Sequence, residues 1–175
     1  MSDLIRKSDK IFVAGSTGTA GKAIVSALKN NGYGTEGNGQ ILTPTHSQLD
    51  LLDGPKTKEW FQQYRPDIVI VAAARVGGIL ANKNSPADFI IENLCIQNNV
   101  ILTSWKTGVR RLLFLGSSCI YPKFCKQPIK ESELLTSSLE STNEFYAVAK
   151  ISGLKLCEAL RRQYNFDAIS LMPTN

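Results

Sequence analysis

The chain has 175 residues, room for one ordinary domain and for no second one of comparable size. Hydrophobic residues at 43% and charged residues at 20% exclude a disordered, collagenous or fibrous chain. The net charge of +5 is scattered rather than gathered into a stripe, so it suits a solvated surface and names neither nucleic acid nor a membrane as partner.

Apolar β-branched runs alternate with longer amphipathic stretches, which predicts parallel strands joined by crossover helices. Lys10–Gly15 reads as a first strand and 20–31 as a helix in which Ala23, Ile24, Ala27 and Leu28 share one face. The glycine-rich stretch from Asn30 to Gln40 is a loop, and Ile41–Leu42 a short second strand. Gly54 and Pro55 open a helix ending near Tyr64, and Asp67–Ala74 is a continuous apolar strand of the kind buried on both faces. A helix begins at Pro86, passes through Ile90, Leu94, Ile101 and Leu102, and leads past Gly108 to a fourth strand, Arg111–Gly116. After a polar loop, a helix from Thr142 to Tyr164 precedes a fifth strand, Asp167–Met172. The fold expected is α/β, a Rossmann-type three-layer, doubly wound parallel sheet forming one domain over residues 1–175.

No apolar run approaches the ~18 residues of a membrane span, and Met1–Lys10 is polar rather than a signal peptide, so the expected location is cytoplasmic. Cys95, Cys119, Cys125 and Cys157 lie far apart without Cys/His clustering, as free thiols would. His46 is the only histidine, so the chemistry is expected on other side chains and no metal site is expected.

Between the first strand and the first helix stands Gly15-Ser16-Thr17-Gly18-Thr19-Ala20-Gly21. Glycines there allow a tight turn and let a pyrophosphate approach backbone N–H groups at a helix N-terminus, where the helix dipole also favours negative charge. The spacing is G-x-x-G-x-x-G, a variant of the dinucleotide fingerprint. The end of the second strand, Leu42-Thr43-Pro44-Thr45-His46, carries neither the carboxylate that holds the ribose hydroxyls of NAD nor the Arg or Lys that meets the 2′-phosphate of NADP. Cofactor preference stays open at this point, with His46, hydroxyls or Lys22 left to meet a phosphate.

Tyr146 and Lys150 are four residues apart on a helix and so share a face. A phenol titrates near 10 and needs a nearby cation to exchange protons at neutral pH, which Lys150 supplies. Ser117, at the end of the fourth strand, can hydrogen-bond a substrate carbonyl. These are the parts of a carbonyl reductase.

The blocks Gly15–Gly21, Ala72–Gly78, Pro86–Phe89, Gly116–Lys123, Glu140–Lys150 and Met172–Asn175 resemble the GDP-L-fucose synthases, within the extended short-chain dehydrogenase/reductases. The resemblance implies NADPH-dependent 3,5-epimerisation and 4-reduction of GDP-4-keto-6-deoxy-D-mannose, with NADP(H) as the expected cofactor and NAD(H) as the alternative. It casts Ser117 as carbonyl-orienting, Tyr146 as proton donor, Lys150 as its pKa partner and nicotinamide-ribose ligand, and Cys119 as the epimerisation acid/base. It places Asp50 and Leu51 against adenine and Ala72, Ala73 and Ala74 beside the cofactor, with Pro173 and Asn175 completing the site. A homodimer through the helices of Pro86–Thr107 and Asn143–Tyr164 is also implied. The resembled enzymes commonly carry Arg or Lys where this chain has Ser16 and Pro44, and they continue past the segment ending at Asn175 into a region that binds the GDP-sugar and supplies a histidine partner for the cysteine. A sheet ending at its fifth strand is therefore expected to present apolar surface and an edge to a partner chain. The alternatives to a fucose synthase are a truncated, catalytically silent NAD(P)-binding module and another nucleotide-sugar epimerase or reductase.

Overall fold

The computed structural model describes residues 4–174. In chain order the elements are β1 (Lys10–Ala14), α1 (Thr19–Asn30), β2 (Gln40–Leu42), α2 (Gly54–Tyr64), β3 (Ile68–Val71), α3 (Ile79–Asn84), α4 (Pro86–Lys106), β4 (Arg111–Leu115), α5 (Glu144–Tyr164) and β5 (Ala168–Leu171), with single 3₁₀ turns at Ser118–Ile120 and Glu131–Glu133. Local chemistry sets several of these bounds. Asp53 accepts from the Lys56 N–H at 3.0 Å to cap α2, with Pro55 in its first turn. Arg65 and Asn165 take left-handed conformations, φ 47° and 54°, that stop α2 and α5.

All strands run parallel in the order β2-β1-β3-β4-β5. After β2 the chain returns across β1 to lay down β3, so the direction of winding reverses between β1 and β3. Ala14 pairs with Val71 and Val71 with Phe114, so the carboxyl ends of the three central strands lie level. In open α/β sheets the crevice at such a reversal is where ligands bind.

The sheet is clad unequally. On one face Phe12, Val69, Val71, Leu112 and Phe114 pack against Trp60 and Phe61 of α2, Val100 and Ile101 of α4, and Cys157 and Leu160 of α5. Phe61 is 0% exposed, so its replacement by Ala is expected to cost about 3–5 kcal/mol. On the other face Ile11, Val13, Ile68 and Ile70 pack against Leu28 of α1. Among the described residues no other helix joins α1 in that cluster, and Leu113 and Ile169 are only half-buried while Leu171 is 48% exposed.

Five strands, the doubly wound order and the three layers agree with expectation. Four of the strands are shorter than expected, β3 stopping at Val71 and leaving Ala72–Ala74 beyond it and β5 spanning four residues, whereas β2 starts one residue earlier, at Gln40. The last helix begins at Glu144 rather than Thr142. Helix α3 was not expected: its six residues carry no side-chain cap, and Ile79 and Leu80 stand exposed.

Candidate active site

At the carboxyl edge of β1 the chain turns so tightly that only glycine fits. Gly15 has φ +79°, and a Cβ there would lie 2.6 Å from the backbone N and Cα of Ala73. A Cβ on Gly21 would lie 2.0 Å from the Gly15 carbonyl oxygen. The Gly18 N–H donates to Gly15 O at 3.1 Å, and α1 starts one residue later with no side-chain cap on its first N–H groups. An anion can therefore take the place of the cap.

These glycines form one wall of a cleft of about 860 Å³ over the switch point. It brings together Gly15, Ser16, Thr17, Gly18, Thr19, Ala20 and Gly21 with Asp50, Leu51, Ala72, Ala73, Ala74 and Pro173, residues that the resemblance assigns to the cofactor. Asn175, expected there too, lies outside the described residues. Pro44 and His46 stand at the wall near Asp50, with His46 Nε2 3.5 Å from Asp50 Oδ1.

Polar side chains of α4 hold the two loops that frame this cleft. Asn99 Nδ2 donates to Leu51 O at 2.8 Å and to Leu52 O at 3.2 Å. Asn93, 2% exposed, accepts from the Arg75 N–H and donates to Arg75 O, both at 3.0 Å. Arg75 is further fixed by an ion pair to Glu92 and by lying 5.3 Å over the Phe89 ring. Sequence reasoning missed these residues; polar positions recurring inside an otherwise apolar helix were the signal that could have found them.

A smaller pocket of about 130 Å³ is lined by Val76, Gly77, Asn82, Ser117, Cys119, Asn143 and Tyr146. Val76 also lines the cleft, so the two spaces adjoin. Ser117 leaves β4 in an extended conformation and caps the next 3₁₀ turn, its Oγ accepting from the Cys119 N–H at 3.4 Å. The Ser118 N–H donates to Pro173 O at 3.2 Å, which hangs this loop on the segment after β5. Tyr146 enters from the first turn of α5. Asn82, on the unexpected α3, donates from Nδ2 to Gly77 O at 2.9 Å and Gly78 O at 3.1 Å, closing the pocket's outer side. Asn82 and Asn143 were not among the expected site residues.

Lys150 is not in the wall of either space. It is 3% exposed, donates from Nζ to Leu115 O at 2.9 Å, and lies 4.9 Å over the Phe114 ring and 5.7 Å from the Tyr146 ring centroid. Burial lowers its pKa to about 8, with the Cys119 thiol acting in the other direction. Burial pushes the Tyr146 phenol up to about 12, the Cys119 thiol adding to the rise and the Ser117 hydroxyl opposing it. Burial also raises the Cys119 thiol, against the Ser117 hydrogen bond and the Lys150 charge. The sequence predicts that Lys150 pulls the phenol down; in the structure burial dominates, the Cys119 thiol and the Ser117 hydroxyl are the other influences, and Tyr146 is held as a protonated donor. Among the described residues, no group of three or more His, Cys, Asp or Glu is placed to hold a metal ion, and no helix is long and apolar enough to cross a membrane.

The glycine cradle and the uncapped helix end fit a dinucleotide, and comparisons with known proteins agree. The family model described as "NAD dependent epimerase/dehydratase family" matches residues 11–175. The chain is 54% identical over 175 residues to GDP-L-fucose synthase 1 of Arabidopsis thaliana, covering 100% of this chain and 53% of that protein. Among solved structures, DdhaC superposes with a TM-score of 0.93 at 43% identity, covering 98% of this chain and 48% of that one. A GDP-mannoheptose C4 reductase from Campylobacter jejuni with NADP bound superposes with a TM-score of 0.91 at 37% identity, covering 98% and 52%. The chain thus spans about half the length of the relatives it matches.

Proposed function

Because the chain belongs to the NAD dependent epimerase/dehydratase family, we propose that it is the cofactor-binding and proton-transfer part of a GDP-L-fucose synthase, an NADPH-dependent 3,5-epimerase and 4-reductase of GDP-4-keto-6-deoxy-D-mannose. The observation that carries this reading is the placement of Ser117, Cys119 and Tyr146 around one small pocket that opens on the glycine-walled cleft. When bound, NADPH supplies a hydride to the carbonyl carbon. The first turn of α1 would hold the pyrophosphate, Asp50 and Leu51 would flank the adenine, and Ala72–Ala74 and Pro173 would line the cleft beside the cofactor. Ser117 orients the substrate carbonyl by hydrogen bonding to its oxygen. Tyr146 then gives its proton to that oxygen as negative charge develops there, and a phenol kept protonated by burial is in the right state to do so. Lys150, buried behind Tyr146, would stabilise the tyrosinate left behind, and the resemblance assigns it to the nicotinamide ribose as well.

Epimerisation asks for a base that removes a proton from a carbon beside the ketone and an acid that delivers one to the opposite face. Cys119 lines the same pocket and takes one of these two tasks, with the Ser117 hydrogen bond and the Lys150 charge favouring its thiolate against burial. NADP(H) is favoured over NAD(H) by the likeness to the Campylobacter jejuni reductase with NADP bound and by the absence of a carboxylate at the end of β2. A homodimer through α4 and α5 and a cytoplasmic location belong to the same proposal.

The test is a fluorescence titration with NADPH and NADH, followed by NADPH oxidation on GDP-4-keto-6-deoxymannose. Saturable NADPH binding with turnover supports the synthase. NADPH binding without turnover supports a catalytically silent dinucleotide module, and turnover only on a different GDP-keto sugar supports another reductase of the family. Absence of saturable binding overturns the reading.

A further inference from the structure

We propose that Gln97 is a positioning residue that fixes the register of α5 against α4, and so fixes where the Lys150 ammonium sits. Gln97 is on α4 and is 2% exposed. Its Nε2 donates to the carbonyl of Ala149 at 2.7 Å, the peptide joining Ala149 to Lys150. That carbonyl is also the acceptor for the N–H of Gly153 one helical turn on. Gly153 is what lets the amide in: a Cβ there would lie 2.8 Å from Gln97 Oε1 and 2.5 Å from the tip of the Phe114 ring. The turn from Ala149 to Gly153 is thus gripped by α4 through Gln97 and by β4 through Phe114. Lys150, inside that turn, completes the grip with its bond to Leu115 O.

Stability does not account for this amide. Gln97 Oε1 is buried without a hydrogen-bond partner, and the cost of stripping water from an unpaired acceptor is comparable to the gain from one neutral hydrogen bond. An apolar side chain of the same length would fill the groove without the orphan oxygen. What such a side chain lacks is direction: dispersion contacts let two helices slide, whereas one donor aimed at one carbonyl selects a single register. Lys150 Nζ faces the Leu115 carbonyl, the Phe114 and Tyr146 rings and the Cys119 thiol, so a slide of α5 changes how deeply the ammonium is buried and how it meets the cofactor ribose. The inference deepens the proposed function, resting on its assignment of Lys150 to the ribose.

The experiment compares the parent chain with Gln97→Met and Gly153→Ala. It reads three quantities: melting temperature, NADPH affinity, and the Lys150 titration followed by NMR of lysine-labelled protein, assigned by loss of the signal in Lys150→Arg. For Gln97→Met the melting temperature is expected within roughly 3 °C of the parent. The Lys150 midpoint should move up from about 8 by roughly half a unit or more as water enters the loosened groove. NADPH affinity should fall roughly three- to tenfold. Gly153→Ala, which pushes the amide and the ring out of the groove, should move the midpoint in the same direction. An unchanged Lys150 midpoint in both variants overturns the inference, and a large drop in melting temperature with that midpoint unchanged shows Gln97 to be a packing residue only. Should the parent bind no NADPH, the proposed function fails, while the Lys150 titration still judges Gln97.

Discussion

The two halves of the site are built by opposite means. The cleft over β1 and β3 is made of backbone and of missing side chains: Gly15 and Gly21 matter because a methyl group would strike Ala73 or Gly15 itself. The pocket beside α5, with Lys150 buried behind it, relies on side chains whose charged forms have been deprived of water, Tyr146 pushed up to about 12 and Lys150 down to about 8. A cleft of the first kind binds whatever presents a pyrophosphate, whereas a pocket of the second kind decides which protonation states are available. Binding and chemistry can then be damaged separately, and the variants below separate them.

The largest effect should come from Tyr146→Phe. It removes the donor while leaving the cleft intact, so kcat for reduction should fall roughly 10²–10⁴-fold with NADPH affinity unchanged, as steady-state kinetics and a fluorescence titration would show. A parallel loss of NADPH affinity would break the division between the halves. Next, Cys119→Ser should slow incorporation of solvent deuterium at the carbons beside the ketone roughly 100-fold, while reduction of a ketone that needs no epimerisation persists. In the other half, Gly21→Ala forces its new methyl against the Gly15 carbonyl, 2.0 Å away. NADPH affinity should drop roughly ten- to thirtyfold, with the Tyr146 phenol titrating as before.

The smallest effect concerns stability and pH. Folded Lys150 titrates near 8 and an unfolded lysine near 10.5, so between those values the unfolded chain binds more protons and stability rises with pH. Between pH 7 and 9 the gain is about 1 kcal/mol. Cys157, raised by burial from 9.0 to about 12, works in the opposite sense above pH 9. Urea unfolding at pH 7 and pH 9 should show the rise in the parent chain and not in Lys150→Met.

The same contrast explains what was legible in the sequence. The cleft is a local motif between a strand and a helix, and Gly15–Gly21 announced it without any tertiary information. Ser117, Tyr146 and Lys150 were also legible as residue types at telling positions, but their electrostatics were not. Whether Lys150 faces water or the Phe114 ring depends on how α5 lies on β4, and nothing within five residues of Lys150 encodes that. Helix α3 escaped because it is only six residues long and has no capping signal, its own Asn82 instead reaching back to the Gly77 and Gly78 carbonyls. The clamps made by Asn93, Gln97 and Asn99 escaped because a polar residue inside a helix is recognisable as buried only once its partner is known.

The unequal cladding of the sheet has a dynamic consequence. Among the described residues β5 pairs only with β4 and exposes Leu171 to solvent, so its amides should be among the first in the sheet to exchange with D₂O. That loosely held strand also supports the reactive loop, because Gly116 N–H hangs on Leu171 O at 2.8 Å and Ser118 N–H on Pro173 O at 3.2 Å. Pro173 borders the dinucleotide cleft. A cofactor seated there would close the fraying end of the sheet and, through those two bonds, quiet the loop that carries Ser117 and Cys119. Deuterium uptake along β5 thus becomes a gauge of whether the cleft is filled.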